Sequence, residues 1–153
     1  MRSVLEDSVD SFIAEWRRYA VTAWLYSRVE GSALLECEVN GRIFHLFERT
    51  NPYASPAGKA RLIVHGVAEG LTVGEGEPSF EVLGPSRLRL GGRISQVSGE
   101  LLVIDVGFPV VVGLLGPGPG RLEPGDYAVL ETLPPLHGFV IGETRVNQPT
   151  DGL

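Results

Sequence analysis

Turn-forming residues interrupt the apolar segments of this chain at short intervals, and this spacing limits what the chain can fold into. Pairs of glycine, proline, serine and asparagine recur about every 8 to 12 residues, which is typical of all-β barrels and sandwiches. The clearest are Asn40-Gly41, Gly84-Pro85, Gly91-Gly92, Ser98-Gly99, the segment 116–120 and Pro124-Gly125. The sequence therefore predicts an all-β fold, either a small β-barrel or a β-sandwich.

The composition fits a protein that folds without a membrane or a disulfide. The chain has 153 residues, of which 43% are hydrophobic and 21% charged, enough for one cored domain or two small β modules. No apolar run approaches the ~20 residues of a membrane span, and residues 1–20 carry charges rather than a signal peptide's apolar stretch. With Cys37 as the single cysteine, no internal disulfide can form. We expect a cytoplasmic protein without a membrane partner.

The negative charge of the chain is unevenly distributed. The net charge is −6, made up of −3 in residues 1–48, +2 in residues 49–98 and −5 in residues 99–153. A polyanion binder needs clustered positive charge to neutralise phosphates. Only the middle third of the chain is therefore a candidate for contact with nucleic acid.

The N-terminal segment has the pattern of an amphipathic helix. Ser3 and Glu6 fit a capping box, and the apolar residues Val9, Phe12 and Trp16 recur at helical spacing. The sequence predicts a helix within residues 1–18 whose apolar stripe covers one face of the β structure.

A β-hairpin around Asn40-Gly41 is the strongest local signal. A two-residue type I′ turn needs positive φ at both central residues, which asparagine and glycine tolerate. The turn pairs Val39 with Arg42 and continues until Leu34 lies opposite Phe47. Side-chain alternation then predicts one apolar face, made of Leu35, Cys37, Val39, Phe44 and Leu46. Cys37 is therefore expected in the core rather than acting as a nucleophile.

The polar face of the same hairpin carries a candidate ion pair. The register places Glu36 opposite His45, and a carboxylate beside an imidazole favours its protonated form. Such a pair would form part of a nucleophilic site, but the sequence contains no Gly-x-Ser-x-Gly elbow to complete it. We expect a cross-strand ion pair on a solvated face.

Glycine-rich residues 70–78 suggest a junction between two β modules, predicted to span residues 19–75 and 76–143. The second module begins with a long strand, Arg87 to Ser98, with Gly91-Gly92 at an expected kink. A hairpin, a third strand, a long connection and a final strand pair follow. This arrangement resembles the OB-fold, and the resemblance implies binding of oligonucleotides or oligosaccharides.

Two groups of residues are candidates for ligand binding. Arg87, Arg89 and Arg93 recur on alternate positions of one predicted strand, apart from a possible bulge at the glycines. Trp24, Tyr26 and Arg28 share the polar face of another strand. Aromatic side chains beside arginines suit base stacking and phosphate contact, so single-stranded nucleic acid is a possible partner. We nevertheless expect Trp24 and Tyr26 to be buried under the N-terminal helix, because large aromatic side chains are usually buried.

The histidines suggest an alternative class of function. Pro124-Gly125-Asp126, followed by a strand and His137, resembles the second motif of the cupin family, whose first His-x-His motif is not found in this sequence. The resemblance implies a metal-dependent enzyme, with His45, His65, His137 and Glu36 as the available side chains. We expect instead that His65 lies in the core and that the chain holds no metal and no cofactor.

The sequence thus favours a non-enzymatic binding or assembly module. A protein partner or self-association through β-strand edges is the expected interaction. Residues 144–153 lack periodicity and are expected to form a flexible tail.

Overall fold

The computed structural model describes residues 8–27, 32, 34–50, 57–116 and 121–141. Over these residues the chain is mostly β, with one short helix near the N-terminus. The elements are α1 (Val9–Trp16), a 3₁₀ turn (Arg17–Tyr19), β1 (Val21–Leu25), β2 (Leu34–Val39), β3 (Arg42–Glu48), β4 (Gly58–Ala68), β5 (Leu71–Gly74), β6 (Ser79–Gly84), β7 (Arg87–Ser98), β8 (Leu101–Asp105), β9 (Pro109–Leu114), β10 (Tyr127–Glu131) and β11 (Leu133–Ile141).

Five strands close into a mixed β-barrel. Their order is β1-β2-β3-β11-β4, and β4 pairs back onto β1 to complete the ring. Neighbouring strands are antiparallel except for β3 and β11, which are parallel. The predicted all-β fold with an N-terminal helix is confirmed, and of the two expected architectures, barrel or sandwich, the structure contains a small barrel.

The remaining strands extend this barrel from the far end of β4. They continue in the order β9-β8-β7-β10-β5, and β6 lies along β7. β10 leads through Thr132 into β11, whose first residue, Leu133, pairs with Val67 of β4. Strands from both sides of residue 75 therefore pair with one another. The division into modules 19–75 and 76–143 stays a prediction.

One large core runs through both groups of strands. It includes Leu35 and Leu46 from the early strands and Leu90 and Ile104 from the later ones. Such continuous burial of apolar area is the main stabilising contribution in a chain without a disulfide.

The helix packs on the outside of the sheet. Ser8 caps it by accepting a hydrogen bond from the Ser11 amide, and the predicted cap Ser3 lies outside the described residues. Phe12 and Trp16 are buried in a second apolar cluster. Their partners are Ile63, Leu101, Val103, Val111, Phe139 and Ile141. The helix thus covers β4, β8, β9 and β11, as its stripe predicts for one face of the β structure.

The Asn40-Gly41 hairpin agrees with the sequence in detail. The φ angles of Asn40 and Gly41 are 51° and 80°, as a type I′ turn requires. The pairing runs from Val39 opposite Arg42 to Leu34 opposite Phe47. Cys37 is fully buried, which confirms its place in the core.

The glycine pair of β7 has a different role from the expected kink. A Cβ at Gly92 would lie 2.0 Å from the backbone oxygen of Asp105. Only glycine lets β8 approach this closely. The irregularity in the β7–β8 register lies further on, between Ile94 and Gln96.

Candidate functional site

The predicted ligand-binding residues lie on two strands that share no neighbour. Trp24 and Tyr26 belong to β1 or directly follow it, and β1 pairs with β2 and β4. The three arginines belong to β7, which pairs with β6, β8 and β10. Arg28 lies outside the described residues. The two groups therefore form separate faces of the molecule.

The first face surrounds Trp24, whose side chain is 51% exposed on the outside of the barrel. Trp24 is flanked by Lys59 on β4 and by Glu38 on β2. On the next strand, β3, Ile43 lies opposite Glu38 and is 47% exposed. A hollow of about 330 Å³ opens here, and we call its lining the Trp24 face: Thr22, Ala23, Trp24, Glu38, Asn40 and Lys59.

This arrangement corrects one expectation. Trp24 and Tyr26 are not buried under the helix, because the aromatic side chains of α1 lie against β4, β8, β9 and β11 instead. Alternation along β1 explains the outcome. Ala23 and Leu25 point into the core, so Thr22 and Trp24 must point outward.

Tyr26 is fixed at one side of Trp24 by a hydrogen bond. Its hydroxyl donates to Oε1 of Glu38 at 2.7 Å. Because this bond and the negative charges of Glu38 and Glu36 favour the protonated phenol, they raise the pKa of Tyr26 above its usual value. Glu38 therefore binds Tyr26 through its side chain and lies opposite Trp24 in the register.

The second face is the outer side of β7, where partners within the chain bind each arginine. Arg87 contacts Glu131 at 3.1 Å, and Arg89 lies 3.4 Å from Glu131. Arg89 also approaches Glu81 of β6 at 3.7 Å. Arg93 donates to the backbone oxygen of Gly125 at 2.9 Å. The half-exposed ion pairs of Arg87 and Arg89 each contribute about 0–1 kcal/mol, but their carboxylates offset charge that a phosphate would need. The carbonyl partner of Arg93 occupies a donor without neutralising the guanidinium.

The register brings Glu36 opposite His45, as the hairpin turn requires. The ion pair between them stays a prediction. Both residues lie on the outer face of the barrel, two residues along their strands from Glu38 and Ile43.

His65 and His137 lie opposite each other on the paired strands β4 and β11. They are paired in the register, and their ring centroids are 6.2 Å apart. His65 is fully buried, as expected, with Nδ1 2.9 Å from the Val111 carbonyl oxygen. Across the described ranges, no group of three His, Cys, Asp or Glu side chains is arranged to hold a metal ion. The cupin-like alternative thus gains no support from the residues described.

Sequence reasoning missed Asn40 and Lys59 in the Trp24 face and the exposed Ile43 next to it. The positions of Ile43 and Asn40 were predictable, because the hairpin register places Ile43 opposite Glu38 and Asn40 in the turn. The position of Lys59 was not predictable, since it depends on the pairing of β4 with β1, which are distant in the chain.

Comparisons of the chain with protein-family models, curated proteins and solved structures gave no significant match. Within the described part of the chain, no helix has the length and apolarity needed to cross a membrane.

Proposed function

We propose that this protein is a binding module whose partner is another protein, and that the Trp24 face is its contact surface. The observation that carries the proposal is the half-exposed Trp24 beside a hollow. Tryptophan is enriched among the residues that contribute most to protein interfaces, since it combines a large apolar area with a polar NH group.

The charges around Trp24 also favour a protein segment. Lys59 and Arg61 lie on one side of β1, and Glu36 and Glu38 lie on the other. Because both signs are present in equal number, the face lacks the net positive charge that binds polyanions. An aromatic centre with a mixed polar rim is the usual composition of a protein interface.

Single-stranded nucleic acid is the less favoured ligand. The expected contacts were the arginines of β7, whose guanidinium groups are bound by Glu131, Glu81 and the Gly125 carbonyl. Binding would require phosphates to displace carboxylates in an acidic protein. The OB-like interpretation of the second half remains a hypothesis that no contact described here favours.

A phage-displayed peptide library tests the proposal. Selection on the wild-type protein should enrich peptides whose binding falls by about 30-fold in Trp24→Ala, as expected when an interface tryptophan is truncated. Leu115→Ala is the matched control, because Leu115 is similarly exposed at 54% but lies on another part of the surface.

Three outcomes would contradict the proposal. The first is that no peptide is enriched. The second is that Trp24→Ala and Leu115→Ala bind equally well. The third is that a labelled oligonucleotide binds tightly and salt-sensitively while peptides do not, which would favour nucleic acid. Sedimentation without peptide completes the test, since a dimer lost in Trp24→Ala would identify a second copy as the occupant.

A further inference from the structure

The chain contains one strand arrangement twice. In the first half, the meander β1-β2-β3 is followed by β4, which pairs antiparallel with β1. In the second half, the meander β7-β8-β9 is followed by β10, which pairs antiparallel with β7 and continues into β11. The third strand of each meander pairs in parallel with a strand of the other half: β3 pairs with β11, and β9 pairs with β4. Each half thus completes the other.

The two halves match residue by residue at their centre. His65 and His137 face each other across β4 and β11. Each histidine also pairs in parallel with the third strand of the other half's meander. His137 pairs with Phe47 of β3, and His65 pairs with Val111 of β9. The surrounding sequences are similar, at 64–68 (VHGVA) and 136–140 (LHGFV).

A second equivalent pair lies in the core. Phe44 precedes Phe47 by the same number of residues as Phe108 precedes Val111. The rings of Phe44 and Phe108 stack at a centroid distance of 6.2 Å with an interplanar angle of 8°. An approximate two-fold axis therefore relates the halves.

The same correspondence aligns β1 with β7. Phe47 pairs with Leu34 and Val111 with Val103, so Glu36 is equivalent to Asp105. Glu36 accepts a hydrogen bond from the Tyr26 amide, and Asp105 pairs with Arg93. Tyr26 therefore corresponds to Arg93, Trp24 to Gly91 and Thr22 to Arg89.

In the second half, β6 fills the position beside β7. It pairs antiparallel from Ser79 opposite Gly91 to Glu81 opposite Arg89. Phe80 of β6 packs inward on Phe44 and Phe108, at centroid distances of 5.3 and 5.6 Å. The outer side of Gly91 is also closed, because a Cβ there would lie 2.5 Å from Ser79 Oγ and 2.6 Å from the Tyr127 hydroxyl.

In the first half, no strand of the described residues fills the equivalent position. β2 contacts β1 at Trp24, Leu25 and the Tyr26 amide, and among the described residues no strand lies beside Thr22 on that side. The Tyr26 amide points toward β2, so by alternation the amide and carbonyl of Thr22 point toward the gap. The hollow of the Trp24 face lies at this gap.

We propose that an extended segment of a protein partner binds here as an added strand, antiparallel to β1, in the place that β6 fills in the second half. The proposal deepens the proposed function and rests on it. The partner's backbone pairs with Thr22, as in other cases of β-strand addition. The residue facing Ala23 carries a large apolar side chain, because Phe80 occupies the equivalent position opposite Leu90.

Backbone methylation of a peptide selected on the wild-type protein tests this geometry. N-methylation at the residue that faces Thr22 removes a hydrogen-bond donor and should weaken binding by about tenfold. Methylation at the adjacent residue, whose amide points away from β1, is the control and should have a smaller effect. Hydrogen exchange should show slower exchange of the Thr22 amide in the complex.

The outcomes separate this inference from the proposed function. A peptide that binds through Trp24 but tolerates methylation at every position, with unchanged exchange at Thr22, overturns strand addition and leaves the binding module intact. Failure to select any Trp24-dependent peptide overturns both. Protection of Thr22 together with the alternating methylation pattern supports strand addition.

Discussion

At the scale of single residues, burial determines what the side chains can do. Cys37 is buried and Trp24 is half-exposed, although the two residues lie on adjacent strands. Trp24 pairs with Glu38, and the next pair along is Leu25 with Cys37. Cys37 points into the core, where a thiolate cannot be solvated. Trp24 points outward, where its ring is available for contact. The sequence predicted the first correctly from alternation and the second wrongly from the general tendency of tryptophan, because the position of the helix could not be known.

We expect Cys37 to make stability decrease at high pH. Burial, with a smaller contribution from the charge of Glu36, raises the pKa of the thiol from 9.0 to about 12. Above pH 9.0 the unfolded chain loses this proton while the folded chain keeps it. The free energy of unfolding should therefore fall by up to about 1.4 kcal/mol per pH unit until the folded pKa is reached.

Denaturant unfolding of the wild type and Cys37→Ala at pH values on both sides of 9.0 measures this effect. The variant is expected to be less stable than the wild type below pH 9.0 because a buried group is lost, and to show a shallower decline above it. Equal slopes in the two proteins would mean that the thiol is accessible to solvent in the folded state.

At the scale of strands and turns, local turn chemistry determines the register of the hairpins, whereas pairing between distant strands determines the barrel. Asn40-Gly41 defined its own register, and the range Arg87–Ser98 was predicted to the residue. The barrel depends on β11 pairing with β3 and β4. No periodicity reports which distant strands will pair, so the mixed ring could not be predicted from sequence alone.

The contact between β7 and β8 should tolerate no side chain at Gly92. We expect Gly92→Ala to destabilise the fold by at least the ~1–3 kcal/mol of an overpacked core, because its Cβ would collide with backbone rather than with a movable side chain. Gly84→Ala is the control, since a Cβ there meets nothing within 4 Å. Thermal unfolding of both variants measures the difference. Comparable melting temperatures would show that the strands separate at no cost.

At the scale of the whole molecule, the approximate two-fold axis explains why the predicted site residues are separated. Trp24 and the arginines occupy equivalent strands, β1 and β7, and so lie on symmetry-related faces. β6 occupies the edge of β7, and Tyr127, whose hydroxyl donates to the Glu77 carbonyl, closes the outer side of Gly91. Beside Thr22 on β1, the described part of the chain places no strand on the side that faces β2. The repeat could not be predicted from the sequence, because the two halves share few residues beyond the His65-Gly66 and His137-Gly138 pairs.

Backbone chemical-shift mapping during titration with a selected peptide tests the central claim most directly. We expect one binding site per chain, with the largest shifts at Thr22, Trp24 and Glu38 and little change at Arg87 and Arg89. Shifts concentrated on the arginines of β7, or equal shifts on both faces, would contradict the assignment of the Trp24 face as the binding surface.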